Sequence, residues 1–268
     1  MPLRHGEGVA AEPAAKPTSQ IVSVSEVEWQ QLNPKRGDQS PKAATLWGDR
    51  DGPGPSGFLL RAVDGFSSPP HVHTADYHGV VITGTIHNAE PSAKDLHLPP
   101  GSFWTQPDGG VHITACKGKC LAYIEMDGGY DVLPVENASN NEAKATWIDA
   151  SNVVWVDPAG VSNLANGPKL AVLWGNPQDD QPSGTLVKLP AGFTGVMRSH
   201  GSTFHAVVIE GRQEHRGLGK NEVTDLAPGS YFSSPGESVH QVSCGEAVDC
   251  ILHVRSGGKF DFSPAHPE

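Results

Sequence analysis

Gly65-Phe66-Ser67-Ser68-Pro69-Pro70-His71-Val72-His73-Thr74-Ala75-Asp76-Tyr77-His78 opens a stretch that closes with Gly101-Ser102-Phe103-Trp104-Thr105-Gln106-Pro107-Asp108-Gly109-Gly110-Val111-His112. Side chains along an extended strand alternate between its two faces, so His71 and His73 look the same way and can share one ion. His78 lies on the next apolar run, and His112 follows a Pro-x-Gly turn able to carry the chain back across the first strand. Four imidazoles would then face one point. An ordinary core does not need this, because each buried ring nitrogen would require its own partner. Asp76 beside them reads as exposed, or as a partner that orients an imidazole.

The stretch resembles the cupin family, whose first motif runs G-x5-H-x-H-x(3,4)-E-x6-G and whose second runs G-x5-P-x-G-x2-H-x3-N. Gly65, His71 and His73 match the first motif; Gly101, Pro107, Gly109 and His112 match the second at the right spacings. There are three departures: His78 stands at the carboxylate position, Gly84 comes one residue early, and Cys116 holds the place of the closing Asn. The first exchanges an anionic ligand for a neutral one.

Composition agrees with a β fold. The 268 residues include 31 Gly and 23 Pro between short β-branched runs, which favours many turns over helices. A formal net charge of −11 argues against nucleic acid, whose phosphates need a basic face. No apolar run approaches the roughly 18 to 20 residues that span a bilayer, so a soluble protein is expected. Residues 1–20, rich in Ala, Pro and Lys, read as a disordered leader or a remnant of processing.

An internal duplication follows. Leu46-Trp47-Gly48 echoes Leu173-Trp174-Gly175, and with the same offset of 127 His73 falls on His200, His78 on His205, and Val80-Val81-Ile82 on Val207-Val208-Ile209. One residue further on, Val111-His112 falls on Val239-His240. The expected organisation is a first cupin unit over 21–130, a polar linker over 131–145, a second unit over 146–262 and a short tail over 263–268. The expected fold is all-β, with two tandem antiparallel jelly-roll barrels forming a bicupin. In the second unit Arg198 stands at the place of His71, while His200, His205 and His240 remain as a candidate second metal site. A guanidinium there stays protonated and repels a cation at contact distance.

His5, His87, His97, His215, His253 and His266 read as structural histidines, and Trp47, Trp104, Trp155 and Trp174 as packing residues. Cys116 with Cys120, and Cys244 with Cys250, fall in the same hairpin of each unit, where cross-strand neighbours come within disulfide range. Disulfides there favour a periplasmic or secreted setting; reduced thiols in the cytoplasm are the alternative.

Nitrogen ligands suit Fe, Zn, Mn, Ni or Cu without selecting one. Cupins with three or four His ligands resemble the non-haem iron dioxygenases that cleave carbon–carbon bonds in β-diketones and hydroxylated aryl ketones. The resemblance therefore implies an Fe(II)-dependent oxygenase for a small chelating substrate, with His71, His73, His78 and His112 on the ion and two copies pairing through their sheets. The alternative is a non-catalytic metal- or ligand-binding cupin, similar to the sensor domain of some anti-sigma factors. A metal-dependent isomerase or hydrolase is a third reading.

Overall fold

The computed structural model describes residues 19–93, 96–139, 142–158, 167–217 and 223–265. Apart from Ser19 and Gln20, the expected leader lies outside the described residues, as do 266–268 of the tail, His5 and His266. No described helix is long and apolar enough to cross a membrane.

The runs bounded by Gly and Pro form strands. The first half carries β1 (Gln20–Val22), β2 (Gln30–Gln31), β3 (Lys42–Trp47), β4 (Ser56–Ala62), β5 (Tyr77–Ala89), β6 (Phe103–Gln106), β7 (Ile113–Met126) and β8 (Thr146–Ile148). The second carries β9 (Lys169–Trp174), β10 (Ser183–Leu189), β11 (Thr194–Ser199), β12 (Thr203–Glu210), β13 (Gln213–Gly217), β14 (Thr224–Leu226), β15 (Tyr231–Pro235), β16 (Ser238–Cys244), β17 (Cys250–Ser256) and β18 (Phe260–Pro264). All pair antiparallel in three sheets: β2-β3-β4-β7-β5-β6-β8, β1-β15-β12-β17-β10-β9 and β14-β13-β16-β11-β18. These are two tandem jelly-roll barrels.

In the first barrel the long strands β5 and β7 serve both layers, pairing from Tyr77↔Met126 to Ala89↔Ile113. They bend where the register shifts between Val81 and Thr85. There Gly84 opposes an excess of residues on β7 and adopts φ +72°; a Cβ on it would stand 2.8 Å from Cys120 Sγ. A bulge of this kind turns a strand from one sheet toward the other. The Cys116–Cys120 disulfide closes it, and Cys244–Cys250 joins β16 to β17, with Cα separations of 5.9 and 5.7 Å. The second pair sits in a hairpin as expected. The first instead lies within one bulged strand.

The sheets do not follow the expected unit boundaries. β1 pairs with β15 of the second half (Ile21↔Phe232), and β8 pairs with β6 of the first (Trp147↔Trp104). Each barrel thus lends a strand to the edge of the other's sheet, covering backbone groups that would otherwise be open. The segment expected as a linker is also engaged, since Leu133 pairs with Val72 and the Ser139 amide donates to Gly109 O.

Alternation along β5 and β12 explains the unbroken apolar runs. Val81 faces the interior of the first barrel with Phe58, Trp104 and Met126, whereas Val80 and Ile82 face Val207, Ile209, Leu186 and Tyr231 of the second half. Strands buried on both faces read as continuously hydrophobic. The second barrel is filled by Met197, Phe204, Phe232 and Phe262. A polar cluster interrupts the layer between the halves. Glu125 accepts from Tyr123 Oη at 3.0 Å, and Arg255 reaches Glu125 and Asp127, each at 3.5 Å. His253 Nδ1 lies 3.6 Å from Glu125.

Candidate metal centre

His71 and His112 meet as an antiparallel bridge, each donating its amide to the other's carbonyl at 3.0 Å. Val72 points the other way and is fully buried, so His73 returns to the face of His71, as period-two alternation requires. The Pro107–Gly110 turn brings His112 back over them and is pinned where the Gly109 amide donates to His73 O at 2.7 Å. Ring centroids lie 4.3 Å apart for His71 and His112, 5.0 Å for His71 and His73, and 5.1 Å for His73 and His112. One ring nitrogen from each falls within 4.8 Å of the others.

The second nitrogen of each ring is already committed. His71 Nδ1 lies 3.0 Å from Pro69 O, with Ser68 Oγ at 3.3 Å; His112 Nδ1 lies 2.9 Å from Gly110 O; and His73 Nδ1 meets Asp131 O. A carbonyl only accepts, so each Nδ1 carries the proton and each Nε2 presents a lone pair. Metal-ligating histidines are held in this way by backbone carbonyls. Burial lowers the pKa of all three rings. His73 is brought to about 4 and His112 to about 3, with the neighbouring imidazoles adding to the effect, so the rings are neutral at physiological pH. Neutral imidazoles with converging lone pairs, buried together, fit a divalent cation of the borderline class.

His78 does not join them. It follows Tyr77 on β5 and so faces the opposite side, where its ring stacks on Trp174 at 4.7 Å and on Phe103 at 5.9 Å. Tyr77 occupies the inward place instead. Its hydroxyl lies 3.1 Å from His112 Nε2 and 3.0 Å from Asn88 Oδ1, which also accepts from Thr114 Oγ1 at 2.8 Å. The shorter of the two spacings allowed by the first motif lands on Tyr77, a signal the reading of His78 passed over. Asp131, expected in a linker, holds His73 through its carbonyl and Thr74 through its carboxylate at 2.7 Å.

The expected second site is not assembled. His200 is partly exposed and meets Asp261 at 2.7 Å. His205, like His78, faces the layer between the halves, stacked on Trp47 and bonded to Tyr231 Oη at 2.7 Å. His240 is buried among Ser234, Ser238 and His215. Arg198 turns to Ser263 at 2.6 Å. Phe204 stacks on His240, with the ring centroids 5.2 Å apart. Among the described residues no group of three metal-ligating side chains forms besides His71, His73 and His112.

Beside the triad lies a cavity of about 340 Å³, walled by Phe58, Leu60, Phe66, Ile86, Ile124 and Met126. Arg36 stands against it, 5.3 Å over the Phe66 ring. A profile of the family called "domain of unknown function DUF4437" matches residues 20–263. The chain belongs to the DUF4437 family. No curated protein matches this DUF4437 chain by sequence. Its fold is similar to that of a candidate dioxygenase from Nostoc punctiforme, at 15% identity and a TM-score of 0.65 over 93% of this chain and 87% of the other. It is similar to AerE of Microcystis aeruginosa at 12% and 0.55, over 88% and 97%. It is also similar to oxalate decarboxylase of Lactobacillus farciminis at 9% and 0.57, over 94% and 90%. At such identities the likeness establishes a cupin-type fold for the DUF4437 protein, and function has to be argued from its own site.

Proposed function

We propose that this DUF4437 protein is an iron(II)-dependent oxygenase acting on a small, largely apolar substrate with a pair of chelating oxygens, such as a β-diketone or a hydroxylated aryl ketone. The observation that carries the reading is the commitment of three Nδ1 protons to backbone carbonyls, which leaves three Nε2 lone pairs facing one point beside an apolar cavity. An ion there supplies Lewis acidity toward the substrate oxygens and, as iron, redox chemistry toward O2. His71, His73 and His112 hold it, and the carbonyls of Pro69, Asp131 and Gly110 fix their orientation. The apolar wall of Phe58, Leu60, Phe66 and Ile86 receives the substrate body and excludes water. Among the described lining residues Arg36 alone carries a formal charge at neutral pH, which suits a substrate with an anionic substituent. The likeness in fold to a candidate dioxygenase supports the reading. The two disulfides support an oxidising compartment as the place of work.

Oxygen consumption by iron-loaded protein, measured against a panel of β-dicarbonyl and aryl-ketone compounds, tests the assignment. Substrate-dependent uptake that disappears in His71→Ala is expected. Iron bound at one per chain with no uptake across the panel would overturn the oxygenase reading in favour of a non-catalytic sensor.

A further inference from the structure

We propose that the Tyr77 hydroxyl oxygen is the fourth protein ligand of the ion, completing a three-imidazole, one-phenol site in place of the expected carboxylate. The inference rests on the reading that His71, His73 and His112 hold a metal. Its first support is distance. An ion with bonds of about 2.1 Å holds adjacent ligand atoms about 3.0 Å apart at a right angle and about 3.4 Å apart at the tetrahedral angle. Tyr77 Oη stands 3.1 Å from His112 Nε2, the spacing of two atoms in one coordination shell.

The second support is the direction of the hydrogen bonds. Gln106 Nε2 donates to Gly110 O at 3.0 Å, which turns Gln106 Oε1 toward Asn88 Nδ2 at 3.4 Å and so directs Asn88 Oδ1 at Tyr77. The Tyr77 proton thus has an acceptor away from the imidazoles. His112 has given its own proton to Gly110 O on the opposite side of the ring. With the Tyr77 proton on Asn88, oxygen and nitrogen lone pairs face each other at 3.1 Å, an arrangement that a shared cation stabilises.

The third support is the duplication. At the offset of 127, Tyr77 corresponds to Phe204, which packs against His240 at 5.2 Å in the barrel whose imidazoles are dispersed. The two rings fill equivalent places in their cores, and the hydroxyl is present only where the three imidazoles meet.

The test is the visible and resonance Raman spectrum of the protein loaded with iron(III), an ion that ionises a coordinated phenol, the proton leaving to bulk water. A phenolate-to-iron charge-transfer band with phenolate ring modes is expected in the wild type. It should vanish in Tyr77→Phe, which should still bind one iron with affinity reduced at least about tenfold. Tyr130→Phe, altering a second tyrosine whose ring lies 5.5 Å from that of His73, should keep the band. Iron bound at one per chain without the band would overturn the proposal while leaving the three-imidazole reading intact, as would a band that survives Tyr77→Phe or disappears in Tyr130→Phe. Absence of bound iron would overturn both. If Tyr77→Phe fails to fold, the wild-type band and its retention in Tyr130→Phe keep the test decisive, because Tyr130 is the other tyrosine among the described residues lining the cavity.

Discussion

Tyr77 and His78 are neighbours on β5 and serve opposite layers of the protein: the Tyr77 hydroxyl lies 3.1 Å from His112 Nε2, while the His78 ring stacks 4.7 Å from Trp174 of the second half. A single step along a strand therefore separates the candidate metal centre from the packing between barrels. His112→Ala is accordingly expected to weaken zinc or cobalt binding by more than about tenfold, whereas His78→Ala should leave it nearly unchanged. Calorimetric titration of both variants checks this, and equal losses would refute the assignment of faces.

Across the layer between the halves, Arg255 is the cation facing buried Glu125. Burial raises the Glu125 pKa, and Arg255 works against that rise. Arg255→Met strands the carboxyl, and should cost about 3 kcal/mol by analogy with broken buried pairs. Adding Glu125→Gln should recover part of the loss, because the two effects are coupled. Denaturant unfolding of the single and double variants reads both numbers; strictly additive losses would contradict the coupling.

Burial lowers the pKa of His240 to about 4 and, with Arg255 adding to it, that of His253 to about 3, against 6.5 for an exposed imidazole. Between pH 6.5 and about 4 the unfolded chain binds more protons at these positions than the folded one. Each then contributes a loss of up to about 1.4 kcal/mol per pH unit as the pH falls, and nothing above the unfolded value. Glu125, with its raised pKa, acts in the opposite sense, so the slope is isolated by difference. The metal-free protein should lose stability from pH 7 to pH 5, and His240→Gln should flatten that dependence. Parallel curves for the two proteins would exclude His240 as a source.

The Cys116–Cys120 bond closes a short bulge whose sulfurs line the cavity beside the triad. Replacing both residues by Ser should lower stability by about 2 kcal/mol, the chain-entropy value for so short a loop. Thermal unfolding with and without a reducing agent measures it. Insensitivity of the wild type to reduction, together with free thiols in the native protein, would remove the disulfide and with it the argument for an oxidising compartment.

Much of this was written in one dimension. The duplication, the jelly-roll barrels, the pairing of His71 with His73 and the return of His112 after the Pro107–Gly110 turn follow from local spacing, because period-two alternation and turn chemistry act over a few residues. The Cys244–Cys250 pair was legible as a hairpin contact, whereas Cys116 and Cys120 meet through a bulge within β7. Register was a different matter. Whether Tyr77 or His78 faces inward depends on where β5 begins to pair with β6 and β7, and that is set by packing on both faces at once. Only the tertiary structure could disperse His200, His205 and His240, since phenylalanines from the three strands β12, β15 and β18 fill the interior of the second barrel. It alone could send β1 and β8 to the opposite barrels and bring Asp131 over His73. Those choices are made between residues distant in sequence, through exclusion of volume and pairing of open strand edges, and no local pattern encodes either.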